Sequence, residues 1–236
     1  MILPSSLVGI FYYLNQNGSF DIHGIQVILE EVPVGQEAFF QPAVEELKKN
    51  LQKYEGLSLW NIELQKFSEE VSESSWIDRL NVKRSWPATL DVYVRPHEVK
   101  LLMMSKAGKL VPVIRDGVVL EAIESPRAPD VALLEGEVFA KQAELRKKAV
   151  KVIDEIPDEG AFSKKTISEV RYDNKEGFWM TMIKTGIQVK MGEEQIALKA
   201  ARVSQVVDYL EVHQFDARVI DANLSKKVLV RLRKGP

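Results

Sequence analysis

The stretch Leu80-Asn81-Val82-Lys83-Arg84-Ser85-Trp86-Pro87-Ala88-Thr89-Leu90-Asp91-Val92-Tyr93-Val94 decides how this chain folds. Apolar and polar side chains alternate in both arms. Leu80 and Val82 share one face of the first arm, and Leu90, Val92 and Val94 share one face of the second, the pattern of half-buried strands. Pro87 fixes φ and has no amide to donate, so the ladder breaks there and the chain reverses. The spacing predicts a β-hairpin, with Trp86 as a lid over one end of its apolar face. A hairpin with one apolar face is not stable by itself and needs a cover.

The residues upstream are suited to supply that cover. Ile25, Val27 and Leu29 alternate in a strand candidate over residues 20–29, ended by Pro33-Val34-Gly35. A helix is expected next, with Pro42 in its first turn, Phe40, Val44, Leu47, Leu51 and Tyr54 on one face, and Gly56 as its stop. Asn61 is the expected N-cap of a second helix with Leu64, Phe67 and Val71 as its stripe. The order strand, helix, helix, strand, strand makes a small α+β domain ending near Pro96.

Downstream the pattern changes. Val111, Val113, Val118 and Leu120 flank Asp116-Gly117, a two-residue turn signal in which both positions want positive φ. A helix is expected over residues 141–156, carrying Leu145, Ala149, Val152 and Ile156 on one face and ended by Pro157. Strand candidates at 167–172, 178–183 and 187–191 have connections short enough only for antiparallel neighbours. A further helix follows Gly192, with Ile196, Val203, Val206, Val207 and Leu210 as its stripe to about Val212. Strands at 217–220 and 227–233 close the chain.

In 236 residues, 45% are hydrophobic and 28% charged, a folded balance, and the formal charge of -2 gives no basic footprint for nucleic acid. Without cysteine there are no disulfides, thiolate nucleophiles or Cys-ligated metals. The sequence has no phosphate loop, no G-x-S-x-G, no H-E-x-x-H and no S-x-x-K. His23, His97 and His213 lie in different elements without paired ligand spacing. The adjacent pairs Glu30-Glu31, Glu69-Glu70 and Glu193-Glu194 read as solvated or dipole-complementing charges rather than acid–base pairs. No catalytic residue, metal site or cofactor is expected.

Residues 1–14, MILPSSLVGIFYYL, are apolar apart from two serines, and no Lys or Arg occurs before Lys48. The run is shorter than the roughly 20 residues of a membrane span. Two readings fit it: the outer half of a membrane anchor with Tyr12 and Tyr13 at the lipid–water boundary, or a buried strand or docked terminus.

The hairpin phrase, in its strand–helix–helix–strand–strand setting, resembles the POTRA domain of the bacterial division family FtsQ/DivIB. There a basic residue, an aromatic, Pro, a small residue, Thr and Leu likewise sit between the two strands. Asp116-Gly117-Val118-Val119 resembles the family's second-domain hairpin, Leu133-Leu134-Glu135-Gly136 its Leu-x-Gly step, and Met191-Gly192 with Lys199, Arg202 and Val203 its strand-to-helix passage. The resemblance spans residues 20–233. It implies a truncated membrane anchor at 1–14, a POTRA domain (β-α-α-β-β) at 20–96 and, at 97–236, a mostly antiparallel β domain with two helices. It further implies a single-pass protein of the cytoplasmic membrane, its bulk outside the cytoplasm at the division septum. The implied role is a non-catalytic scaffold binding FtsB/DivIC-like and FtsL-like proteins, with other division proteins met through the POTRA domain.

The candidate binding residues are Lys227, Val228, Leu229, Val230, Arg231 and Leu232. Val228, Val230 and Leu232 alternate toward the core, and Lys227, Arg231 and Arg233 point outward. A terminal strand is often an edge strand, and its unpaired backbone groups suit addition of a partner's strand. The same basic residues also suit the opposite role, gatekeepers that prevent edge pairing. Two other classes are open on the residues alone: an envelope hydrolase with carboxylates in the inter-domain cleft, which turnover of cell-wall material would reveal, and a POTRA-type chaperone or transport module. Modules of the latter kind usually repeat the POTRA unit or carry a barrel, and neither is present in this sequence.

Overall fold

A computed structural model describes residues 12–14, 17–86, 88–225 and 227–233. Most of the expected anchor, residues 1–11, lies outside the described residues, as does Pro87. Among the described residues no helix is long and apolar enough to cross a membrane. The chain divides into two compact units, Met1–His97 and Glu98–Pro236.

In the first unit the order is β1 (Gly24–Leu29), α1 (Glu37–Leu51), α2 (Leu64–Ser72), β2 (Ile77–Ser85) and β3 (Thr89–Pro96). The sheet order is β1-β3-β2, with β1 parallel and β2 antiparallel to the central β3. Leu90, Val92 and Val94 of β3 are fully buried, and each such aliphatic side chain contributes about 1.5–3 kcal/mol. Register sets Leu80 opposite Val94, Val82 opposite Val92 and Arg84 opposite Leu90, so these residues share the core face. Phe40, Val44, Leu47 and Leu51 of α1 and Phe67 and Val71 of α2 cover it.

Three local expectations are corrected here. Trp86 is no lid, being 78% exposed. Arg84 takes that end of the face instead, where Nε donates to the Leu59 carbonyl at 2.8 Å and Nη2 to the Ile62 carbonyl at 2.7 Å. An indole cannot satisfy two carbonyls that a guanidinium fork can. Pro42 lies inside α1, not in its first turn, because buried Gln36 starts the helix earlier, its carbonyl accepting from the Phe39 and Phe40 amides. Glu63, not Asn61, occupies the cap position of α2, since Asn61 is drawn into a turn with Ser58.

The second unit is one mixed sheet carrying helices. Its strands are β4 (Leu101–Met104), β5 (Leu110–Val113), β6 (Leu133–Glu135), β7 (Ile167–Asp173), β8 (Gly177–Met182), β9 (Gln188–Gly192), β10 (Ala217–Asp221) and β11 (Leu229–Leu232). They lie in the order β11-β10-β9-β8-β7-β6-β4-β5. The β7–β8–β9 meander is antiparallel, as its connections require. β10 lies parallel to β9, because α5 (Ile196–Val212) provides the crossover. The helix expected at 141–156 is split at Gln142 into α3 (Glu137–Lys141) and α4 (Ala143–Asp154). Leu145, Ala149, Val152 and Ile153 of α4 and Ala200, Val203 and Val207 of α5 share one core with Phe178, Met180, Val189 and Ile220.

The Asp116-Gly117 reversal has the positive φ its sequence asks for, 63° and 73°. Its second arm is not a strand, however. Among the described residues this arm makes two isolated bridges, Val119 with Val113 and Ile123 with Leu110.

Candidate functional site

β11 is the last strand of its sheet and pairs only with β10 among the described residues. The Arg233 amide donates to the Asp216 carbonyl at 2.8 Å, which fixes the phase of the strand. Alternate residues direct their amides to opposite sides, and the bulge between Ala217 and Val219 lies on β10, leaving the alternation of β11 unbroken. The amides of Leu229 and Arg231 therefore face β10, and those of Val230 and Leu232 face the open side.

Of the six sequence-predicted residues, Leu229, Val230, Arg231 and Leu232 form β11, Lys227 and Val228 lie just before it, and one expectation of face is corrected. Val228 and Val230 are half-buried against the core. Leu232, expected to join them, is 52% exposed. It pairs with Ala217 beyond the β10 bulge, where the added twist carries the strand end off the core. Leu229, Arg231 and Lys227 are exposed. The edge thus offers two free amides, two exposed leucines and two cations.

What steadies this edge comes from other elements. Lys199 of α5 is only 6% exposed, and its Nζ donates to the Met191 carbonyl at 2.8 Å and to Asn223 Oδ1 at 3.0 Å. Burial holds its amine below the ordinary lysine value. Arg202 Nη1 donates to the Ser225 carbonyl at 3.2 Å. One helix thereby grips both ends of the turn leading into β11. Gly192 makes this possible, since at φ 72° a Cβ there would lie 2.1 Å from Asn223 Oδ1. The family resemblance singled out Gly192, Lys199 and Arg202 but not their shared task. Asn223 carried no signal, because a single Asn in a turn has no periodic partner.

A cleft of about 420 Å³ is lined by Glu176, Glu193, Glu194, Lys175 and Lys199 among others. Glu193 accepts from the Tyr172 hydroxyl at 2.8 Å and from Lys148 Nζ at 3.2 Å, and both hold its carboxyl below the ordinary range. Glu176 is paired with Lys190 at 2.8 Å. With its carboxyl held down by these two neighbours, Glu193 is unsuited to act as a general acid. Among the described residues no group of His, Asp and Glu is arranged to hold a metal.

Comparison with known proteins bears on about three quarters of the chain. The family model described as Cell division protein FtsQ/DivIB, C-terminal, matches residues 102–223, and the model described as POTRA domain, FtsQ-type, matches residues 43–97. The chain is 25% identical over 183 residues to the cell division protein FtsQ of Geobacter sp. (strain M21), covering 75% of this chain and 66% of the relative. Its identity to FtsQ of Geotalea daltonii is 23% over 184 residues, again 75% and 66%. With FtsQ of Syntrophotalea carbinolica it is 22% over 188 residues, 76% and 66%. The matched part thus spans about two thirds of the length of these relatives.

Proposed function

Since the chain belongs to the FtsQ/DivIB family of cell division proteins, we propose that it is a non-catalytic scaffold of the division machinery that captures partners by strand addition to the open edge of β11. The site is Lys227, Val228, Leu229, Val230, Arg231 and Leu232, and the partners are FtsB/DivIC-like and FtsL-like proteins. Further division proteins meet the POTRA domain. The protein sits in the cytoplasmic membrane at the septum through its apolar N-terminal run, with both domains on the extracytoplasmic side.

The observation that carries this reading is the edge itself. Val230 and Leu232 present unpaired amides outward, so an incoming strand gains main-chain hydrogen bonds while Leu229 and Leu232 give it apolar contact. Arg231 and Lys227 favour an acidic partner segment and add mainly to the rate of encounter.

Co-purification tests it. The chain is expected to capture the extracytoplasmic segments of FtsB/DivIC-like and FtsL-like proteins. A version ending after Ser225 is expected to keep a cooperative melting transition and lose capture. Full-strength capture by that shortened, folded version moves the site elsewhere.

A further inference from the structure

Three segments of the first domain converge at one end of it. The Ile22 amide donates to the Leu57 carbonyl at 2.9 Å, the Gly56 amide to the Ile22 carbonyl at 3.0 Å and the Leu59 amide to the Phe20 carbonyl at 2.8 Å. The next residue, His23, donates from its amide to the Ala88 carbonyl at 2.9 Å. The tip of the β2–β3 hairpin is thus laced to residues 56–62 through residues 20–23, and the bonds from Arg84 to Leu59 and Ile62 tighten the same junction.

Several large apolar side chains meet solvent at this end, alongside exposed polar residues such as His23 and Asn61. Trp86 is exposed at the hairpin tip, and Leu57 and Trp60, in the segment laced to that tip, are about half exposed. Tyr12 and Tyr13 are exposed on a helical turn whose carbonyls accept from the chain entering this end, Tyr13 from the Asn17 amide at 3.1 Å and Leu14 from the Ser19 amide at 3.0 Å. Arg84, a cation at the junction, has turned its donors to backbone carbonyls, with its guanidinium carbon 5.8 Å from the Trp60 ring centre. Two indoles and two phenols on one end, with no charged residue in the first twenty positions of the chain, is the composition of a lipid–water boundary.

We propose that this end of the first domain rests in the interfacial layer of a phospholipid bilayer, with Trp86 inserted among the headgroups and Trp60 and Leu57 beside it. Lipid is favoured over a protein occupant because Tyr12 and Tyr13, exposed on the turn that leads into this end, belong to an N-terminal sequence with no charged residue before Asp21. Contact is through aromatic rings rather than cations, so zwitterionic lipid suffices and salt has little effect. The inference rests on the membrane-seated reading of residues 1–14 given above and adds a second, independent contact to it.

Fluorescence quenching tests it with the full chain on phosphatidylcholine vesicles containing brominated acyl chains. Trp76 packs against Phe40 in the core, their ring centres 6.0 Å apart, and Trp179 belongs to the second domain, so the difference between the parent and Trp86→Phe isolates the hairpin tip. Bromines near the headgroup are expected to quench the parent more than bromines near the bilayer centre. Trp86→Phe is expected to lose the larger part of that quenching while its melting temperature stays within about 2 °C of the parent, as befits an exposed site. If the chain binds the vesicles but quenching is the same in both proteins, or Trp86 stays as open to aqueous acrylamide as in solution, the inference fails and the membrane-seated run stands. If the chain does not bind the vesicles at all, both fail.

Discussion

The sheet of the second domain has two ends, and they are finished differently. At the β5 end, residues 118–123 lie along the outermost strand. The Ile123 amide reaches the Leu110 carbonyl at 2.7 Å, the Leu120 amide reaches the Pro112 carbonyl at 2.9 Å, and Pro112 has no amide left to offer. That edge is closed. At the β11 end the described chain supplies no such cover, and the amides of Val230 and Leu232 remain outward. An unpaired edge is a hazard that proteins normally blunt. Among the described residues one edge is closed by a dedicated loop and the other is not, and the proposed strand addition rests on that asymmetry.

Proline substitution tests the open end most sharply. Leu229→Pro removes an amide bonded to β10 and is expected to cost about 3 kcal/mol of stability. Val230→Pro removes an outward amide, so it should keep the parent's circular dichroism and melting behaviour yet lose partner capture by about tenfold or more in a binding titration. Equal behaviour of the two variants breaks the assignment of sides. At the closed end, Gly117 is the pivot. A Cβ there would lie 2.5 Å from the Lys147 amide nitrogen and 2.9 Å from the Ala143 carbonyl, both backbone atoms of α4. Gly117→Val is therefore expected to destabilise the second domain by roughly 3 kcal/mol in denaturant titration, and, by loosening the covering loop, to cause self-association visible in sedimentation.

Effects on the support of the open edge should be smaller. Lys199→Ala leaves the Met191 carbonyl and Asn223 without their donor and is expected to cost about 2 kcal/mol. Its pH dependence has a definite sign. The folded-state amine binds its proton less tightly than the unfolded one, so the unfolded chain is the more protonated state as pH approaches the ordinary lysine range, and the contribution of Lys199 to stability grows with rising pH. The stability gap between parent and variant should widen accordingly in melts at increasing pH. A gap that narrows would contradict the burial of the amine. The smallest effect is expected at Arg231, which is exposed. Arg231→Glu should weaken capture by about threefold or less, with the difference fading as salt is raised.

Alternation made the hairpin, β1, the β7–β9 meander and β11 legible, because period-two burial writes itself into neighbouring residues. β4 and β6 were not. Leu101-Leu102-Met103-Met104 is continuously apolar and Leu133–Glu135 spans only three residues, so neither carries a period to read. Trp86 was misplaced for a related reason. Its parity with Leu80 and Val82 is correct along the strand, but the strand ends at Ser85 and parity has no meaning in the turn beyond it.

The order of elements in the first domain, the faces of the long helices, the hairpin between β2 and β3, the reversal at Asp116-Gly117 and the family membership are all local or patterned properties, and the sequence by itself determined them. The tertiary structure decided which strand ends up at an edge, which of its amides point outward, and what holds it there. Those depend on pairings between residues far apart in the chain, Arg233 with Asp216, Lys199 with Met191 and Asn223, Leu110 with Ile123. A backbone amide is chemically the same in every residue except proline, so only its partner across space distinguishes a bonded one from one free to bind.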